Sequence, residues 1–86
     1  KKVTTFYDQA SAEEAIASAI RANRAKIKHW LRQTSKEKFV INFRADRSYG
    51  WGITRTGEEL SNLREVVVVL KRHGARGYYI LTAYPR

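Results

Sequence analysis

The chain has 86 residues, with 17 Lys and Arg against eight Asp and Glu, and its formal net charge is +9. This length allows one domain and no second core. The absence of cysteine excludes disulfides, thiolate metal ligands and a thiol nucleophile. The longest apolar run, residues 66–70, is far shorter than the roughly 20 residues that cross a bilayer, so no membrane span is predicted.

The dense positive charge favours a polyanionic partner, because such a surface attracts nucleic acid and speeds its encounter. Three other interpretations stay open: a basic domain without a nucleic-acid role, a domain that binds an acidic protein, and a domain that binds an anionic membrane. The membrane is the least favoured, since no segment combines a wide apolar helical face with aromatic anchors. The missing initiator Met indicates a piece of a longer protein.

The first part of the sequence predicts a short strand followed by two helices. Residues 3–7 are β-prone and typical of an edge strand. Ser11 and Glu14 have the spacing of a capping box, which predicts a helix start. An apolar stripe at helical spacing follows, formed by Ala12, Ala15, Ile16, Ala19 and Ile20. Asn23 is predicted to end this helix and to cap a second one.

The second helix is predicted to bury Ile27, Trp30 and Leu31. Between Arg21 and Arg32 there is no acidic residue, and Arg21, Arg24, Lys28 and Arg32, at steps of three and four, are predicted to share one basic face. Such a run either contacts phosphate or is the solvated side of a helix, and the solvated side is the more frequent case. Near Thr34 the pattern changes from helical period to strand period.

The second half of the sequence predicts antiparallel strands. Residues 39–43 and 49–53 alternate as half-buried strands do, and residues 54–62 are predicted to form a loop with a turn at Gly57. Gly50 and Gly52 leave one face of their strand bare, so that a backbone or ligand can approach closely.

The last two strands are predicted at residues 64–71 and 78–84, joined by a hairpin loop at residues 72–77. Helices followed by antiparallel strands predict an α+β domain, with N-terminal helices packed on a twisted antiparallel sheet.

The last strand carries the best candidate site. Strict alternation places Tyr78, Ile80, Thr82 and Tyr84 on one face, and Pro85 ends the strand because it cannot donate a hydrogen bond to the ladder. Two hydroxyls spaced two residues apart lie side by side and suit a phosphate. By pattern alone, however, Thr and Tyr are ordinary strand residues.

Six segments together resemble a known family. They are Thr-Phe at residues 5–6, Ala-Glu-Glu-Ala-Ile at 12–16, Ala-Asn-Arg at 22–24 leading to Trp-Leu at 30–31, Gly-Trp-Gly at 50–52, the apolar run at 66–70, and Tyr-Tyr-Ile-Leu-Thr-Ala-Tyr-Pro at 78–85. The chain resembles the C-terminal toxin domains of contact-dependent growth inhibition systems that have an RNase A-like fold. The closing segment is the most specific match.

The resemblance implies a ribonuclease that needs no metal and no cofactor. In that family the ribose 2′-hydroxyl attacks the neighbouring phosphorus while a base removes its proton. Thr82 and Tyr84 match family residues of the catalytic group: Thr82 is expected to orient the base or hold a phosphate oxygen, and Tyr84 to donate a hydrogen bond to the phosphate. The family's catalytic His and its accompanying Arg lie upstream of Lys1.

Residues 1–86 are therefore expected to be a single toxin domain that lacks its N-terminal catalytic helical segment, either because it is trimmed or because that segment is a separate chain. The resemblance also implies a cognate immunity protein, expected to be acidic because the toxin is basic. The toxin would be secreted or delivered at the cell surface as part of a larger effector and would degrade RNA in the target-cell cytoplasm.

Three further residues are candidates for substrate binding, and two histidines are candidates for a general base. Trp51 suits stacking on a base and Arg47 and Arg55 suit phosphates, with core packing slightly favoured for Trp51. His29 and His73 are possible general bases but suit surface positions better.

No metal site is predicted, since Asp46, Glu58 and Glu59 are interpreted as solvated loop carboxylates. The competing functions are a non-catalytic basic nucleic-acid-binding module and a fragment whose only ligand is a cognate protein.

Overall fold

The computed structural model describes residues 2–33, 36–75 and 77–86. The predicted change of pattern near Thr34 and one residue of the predicted hairpin loop, Arg76, lie outside these ranges. The elements within them are β1 (Val3–Phe6), α1 (Gln9–Ala22), α2 (Arg24–Arg32), β2 (Lys38–Arg44), β3 (Gly50–Ile53), β4 (Glu59–Leu63), β5 (Glu65–His73) and β6 (Gly77–Pro85).

The described strands form two antiparallel sheets of three strands each. One sheet has the order β1-β3-β4, which makes β1 the predicted edge strand, and the other has the order β2-β5-β6. Two helices with antiparallel sheets confirm the predicted α+β class. The division of the strands between two sheets is a feature that the sequence pattern did not indicate.

The core lies between the two helices and one face of the β2-β5-β6 sheet. Ala15 and Ala19 of α1 are fully buried, as are Val66, Val68 and Leu70 of β5. Each large aliphatic side chain of this set contributes on the order of 1.5–3 kcal/mol by leaving water. The predicted apolar stripe of α1 is thus confirmed, with Ile16 and Ile20 half-buried at its border.

The start of α1 differs from the prediction. Its N-cap is Asp8, whose Oδ1 accepts a hydrogen bond of 2.7 Å from the backbone nitrogen of Ser11. Ser11 is therefore a buried residue of the first helical turn instead of the cap. Asn23 does separate the helices as predicted, but its side chain donates back to the Ala19 carbonyl and does not cap α2.

Strand β4 was predicted as loop, and that prediction was wrong. Ser61 and Asn62 are poor strand formers, which is why the residue pattern did not indicate a strand here. In the structure Asn62 has a positive φ of 60°. The segment is extended because β3 supplies its hydrogen-bonding partner, with a register shift between Gly50 and Gly52.

The two glycines of β3 permit the close approach that their pattern predicted. A Cβ on Gly50 would meet the Thr5 carbonyl oxygen and would lie 2.5 Å from Cγ of Pro85. A Cβ on Gly52 would lie 2.6 Å from the Val3 carbonyl oxygen. The absence of side chains here lets β1 and the end of β6 pack directly on β3.

A single arginine joins β5 to the C-terminal end of α2. The Arg72 guanidinium donates to the carbonyl oxygens of Trp30 at 2.8 Å, Leu31 at 2.9 Å and Lys36 at 3.3 Å, and also to that of Gln33. Its carbon lies 5.2 Å from the ring centre of Trp30. A cation here satisfies carbonyls that a helix end leaves without partners and opposes its partial negative charge.

We expect Arg72→Lys to lower the free energy of unfolding by about 1.5–3 kcal/mol, because an ammonium group cannot reproduce a planar fork of donors. Urea denaturation measures this change. The matched control is Arg32→Lys, at an exposed position of α2, which should change stability by less than about 0.5 kcal/mol. Equal losses in the two variants would contradict the assigned role of Arg72.

The cap at Asp8 predicts a specific acid sensitivity. The backbone hydrogen bond from Ser11, followed by the Ser11 side chain and the charge of Arg47, lowers the pKa of Asp8 below its usual 3.8. The ionised carboxylate therefore stabilises the fold above that value, and this stability is lost as the pH falls through the lower, folded-state pKa.

We expect Asp8→Asn, which keeps an acceptor oxygen, to lose less thermal stability than the parent between neutral pH and about pH 2.5. Melting temperatures at both pH values provide the measurement. Asp46→Asn, in the loop after β2, is the control and should keep the parent's acid dependence. An unchanged slope in the Asp8 variant would show that this carboxylate is not the titrating group.

Candidate active site

A β-bulge in β6 decides which way its hydroxyl side chains point. Val69 pairs with Thr82 and Leu70 pairs with Ile80, so Leu81 has no partner on β5. Strict alternation through the strand was therefore a wrong prediction: Thr82 does not share a face with Tyr78 and Ile80. Bulges commonly redirect side chains next to functional sites.

Before the bulge, the side chain of Tyr78 in β6 points towards the helices. Tyr78 pairs with Arg72, and its ring centre lies 6.4 Å from that of Trp30 in α2. Beyond the bulge, Ala83 takes over the helix side and packs against the core. Thr82 and Tyr84 are consequently on the opposite side of the sheet, where neither helix packs.

Thr82 and Tyr84 lie together on what we call the outer face of the β2-β5-β6 sheet. Its centre is formed by Val40, Asn42, Val67, Val69, Thr82 and Tyr84, which share a side by cross-strand register. Both hydroxyl-bearing residues are exposed, Tyr84 to 42%. Within the described ranges neither hydroxyl has a hydrogen-bond partner in the protein, so both are available to a ligand.

An amide and a cation flank this pair. Asn42 pairs with Val67, the residue that also pairs with Tyr84, and its Oδ1 accepts from Nη1 of Arg86 at 3.3 Å. The sequence analysis missed both Asn42 and Arg86. The alternation of β2 is visible in the sequence, but the register that brings Asn42 to the level of Tyr84 is not.

The three predicted substrate-binding residues lie elsewhere. Trp51 is in β3, in the other sheet, and is 38% exposed, which argues against the favoured core-packing interpretation. Arg47 forms an ion pair with Glu14 at 3.3 Å, and its guanidinium carbon lies 4.8 Å from the ring centre of Tyr49. Arg55 is exposed in the turn between β3 and β4. Their roles stay predictions.

Neither histidine is positioned to serve the hydroxyl pair. His29 is exposed on α2, on the helix side, and its Nε2 lies 3.2 Å from Nε2 of Gln33. His73 is on β5 four residues beyond Val69, the partner of Thr82. Four residues of strand correspond to about 13 Å, too far for direct contact.

A cleft of about 360 Å³ lies beside α2, on the helix side of the molecule, and its lining includes Trp30, Phe39 and Lys36. It does not include the hydroxyl pair. In the part of the chain that the structure describes, no group of three or more His, Cys, Asp or Glu side chains is arranged to hold a metal ion. In the same ranges no helix has the length and apolar character needed to cross a membrane.

The α+β fold of this chain is shared with known proteins. The family described as "Bacterial CdiA-CT RNAse A domain" matches residues 1–85. The chain therefore belongs to this family of bacterial toxin nucleases, and the resemblance inferred from the sequence motifs is confirmed.

The solved structures support the same assignment. The chain is similar to one in the crystal structure of the CdiA-CT/CdiI complex from Y. kristensenii 33638, with 27% sequence identity and a TM-score of 0.90. The similarity covers 100% of this chain and 78% of that chain. A comparison with curated proteins gave no match.

Proposed function

We propose that the chain is the larger part of a metal-independent ribonuclease that cleaves RNA by attack of a ribose 2′-hydroxyl on the adjacent phosphorus. The observation that carries this proposal is the exposed pair of Thr82 and Tyr84, directed away from the core by the bulge at Leu81. Membership of the RNase A-like toxin family supports it.

In this proposal the two hydroxyls serve the phosphate. As the 2′-oxygen attacks, the bond from phosphorus to the 5′-oxygen of the next nucleotide breaks, and that oxygen takes up a proton and leaves as a hydroxyl. Negative charge grows on the non-bridging phosphate oxygens during this step, and donors already in place stabilise it. Tyr84 donates a hydrogen bond to one such oxygen. Thr82 lies two residues before Tyr84 on the same face, and it holds a second phosphate oxygen or orients the base. Both residues lie after the bulge, where β6 pairs in regular register with Val69 and Val67 of β5, and this pairing keeps their spacing fixed.

We further propose that residues 1–86 form a single ribonuclease toxin domain completed by a segment N-terminal to Lys1. That segment supplies the His that acts as general base and an accompanying Arg, from the same chain or a separate one. The positions of the two histidines support this inference, because neither reaches the hydroxyl pair. His29 lies on the helix side, and His73 lies about 13 Å along β5 from Val69, the partner of Thr82. The chain alone is then expected to cleave RNA poorly.

The proposal includes a protein inhibitor. The Y. kristensenii chain was solved in a CdiA-CT/CdiI complex, and we propose that a cognate immunity protein binds this chain as well. A net charge of +9 favours an acidic partner, which would use the same electrostatic attraction as RNA. Delivery within a larger CdiA effector and action in the target-cell cytoplasm complete the proposal.

The test uses the toxin domain with its own N-terminal segment. We expect Thr82→Val and Tyr84→Phe each to lower kcat/KM for RNA by about 10²–10³-fold, the usual effect of removing one transition-state donor. Because both residues are exposed, the unfolding free energy should change by less than about 0.5 kcal/mol. The control variants are Thr56→Val, in the turn between β3 and β4, and Tyr7→Phe, directly after β1, both at exposed positions.

Three further readouts address the mechanism. Attack by the 2′-oxygen leaves a 2′,3′-cyclic phosphate, requires a ribose at the cleaved bond, and continues in the presence of a chelator. Cleavage of a 2′-deoxy substrate, or activity abolished by chelator, would refute the mechanism. Parent-like rates in both hydroxyl variants would remove the assigned site. Binding of RNA without any cleavage would favour a non-catalytic basic module.

A further inference from the structure

Two lysines face each other across neighbouring strands at one end of the outer face. Lys38 of β2 pairs in register with Lys71 of β5. The next pair on the same side is Val40 with Val69, and Val69 is the partner of Thr82. By the alternation of the strands, the lysine pair and the hydroxyl pair therefore point to the same side of the sheet.

This lysine pair is not compensated inside the described part of the protein. Like charges directly opposite each other on adjacent strands destabilise a sheet. The two ion pairs found among residues 2–33, 36–75 and 77–86 involve Arg44 with Glu65 and Arg47 with Glu14, and neither lysine takes part. The arrangement thus costs stability in the free protein, and an anion between the two ammonium groups would offset that cost.

The cations at the other end of the same face are in a different state. Arg44 lies 3.8 Å from the Glu65 carboxylate, and Arg86 donates to Asn42. The charge of Arg44 is thus paired with a carboxylate, and the guanidinium of Arg86 is held by a neutral amide oxygen. At the other end, the ammonium groups of Lys38 and Lys71 have no protein partner among the described residues, so both can bind a phosphate.

The spacing fits a second phosphate of the same RNA strand. Lys71 is two residues from Val69, which places the lysine pair about 7 Å along the sheet from Thr82. That separation is on the scale of one nucleotide of extended single-stranded RNA. The half-buried Lys71 and the exposed Lys38 bring two long, flexible cationic side chains to this point.

We propose that Lys38 and Lys71 form a binding subsite for a phosphate adjacent to the one held by Thr82 and Tyr84. This inference rests on the proposed ribonuclease function and adds a substrate class: RNA strands with at least two phosphodiesters. The lysines contact a group that does not react, so they contribute to binding of longer strands and not to chemistry at the cleaved bond.

The experiment compares two substrates in the toxin domain that carries its own N-terminal segment. One is a dinucleotide with a single phosphodiester, and the other is an oligonucleotide with several. We expect the double variant Lys38→Gln/Lys71→Gln to cleave the dinucleotide within about twofold of the parent rate. For the oligonucleotide we expect kcat/KM to fall about tenfold, mainly through KM, and the salt slope of log KM to fall by about 1.4.

The matched control is Lys26→Gln/Lys36→Gln, which removes two charges from the helix side. It should leave both substrates near parent rates. An equal loss for both substrates in the Lys38/Lys71 variant, a loss no greater than in the control, or no loss at all would each overturn the subsite.

The two proposals fail separately. If the parent cleaves neither substrate, the ribonuclease proposal fails, and the subsite is judged by oligonucleotide binding alone. In that assay a tenfold weaker affinity with a reduced salt slope supports the lysine pair, and an unchanged affinity and slope refute it.

Discussion

The pairing of β5 with both of its neighbours is the constraint on which the other features depend. One side of β5 supplies Val66, Val68 and Leu70 to the core beneath α1. The other side supplies Val67 and Val69, which set the positions of Tyr84 and Thr82 on β6. A shift of one residue in the β5–β6 register would either expose the core valines or turn the hydroxyl pair inward. Burial of one face thus fixes the geometry of the other.

The bulge at Leu81 lets β6 contribute to the core before the bulge and expose the hydroxyl pair after it. Before it, Tyr78 packs towards Trp30 and contributes to the core. After it, Thr82 and Tyr84 are outside, and Ala83 and Pro85 take over the inner side. A strand with unbroken alternation would have kept Thr82 on the same side as Tyr78, among the core residues. The extra residue is therefore what makes an exposed hydroxyl pair compatible with a buried strand end.

The positive charges of the chain divide into engaged and unengaged groups. Arg72 is committed to the carbonyls at the end of α2, and Arg47 to Glu14 and the ring of Tyr49. These arginines link segments distant in sequence, and guanidinium groups suit that task because one group satisfies several acceptors in fixed directions. Lys38 and Lys71, each with a single flexible ammonium group, have no such partner among the described residues and lie at one end of the outer face.

The sequence by itself determined the class of the fold and most of its elements. The apolar stripe of α1, the break at Asn23, the alternation in β2 and the valine run of β5 are local patterns, and each element appears close to its predicted place. The six matching segments, of which the closing one is the most specific, were enough to identify the family, and the closing segment indicated Thr82 and Tyr84 as candidate site residues.

Only the tertiary structure decided what those residues face. The start of α1 at Asp8, strand β4, the bulge at Leu81 and the cross-strand lysine pair all depend on partners distant in the chain. Local propensity does not determine which residues pair across two strands. That register is set by the burial of one whole face of the sheet, to which residues distant in the sequence contribute. The sequence identified Thr82 and Tyr84 as candidates, and the fold placed both side chains on the exposed outer face.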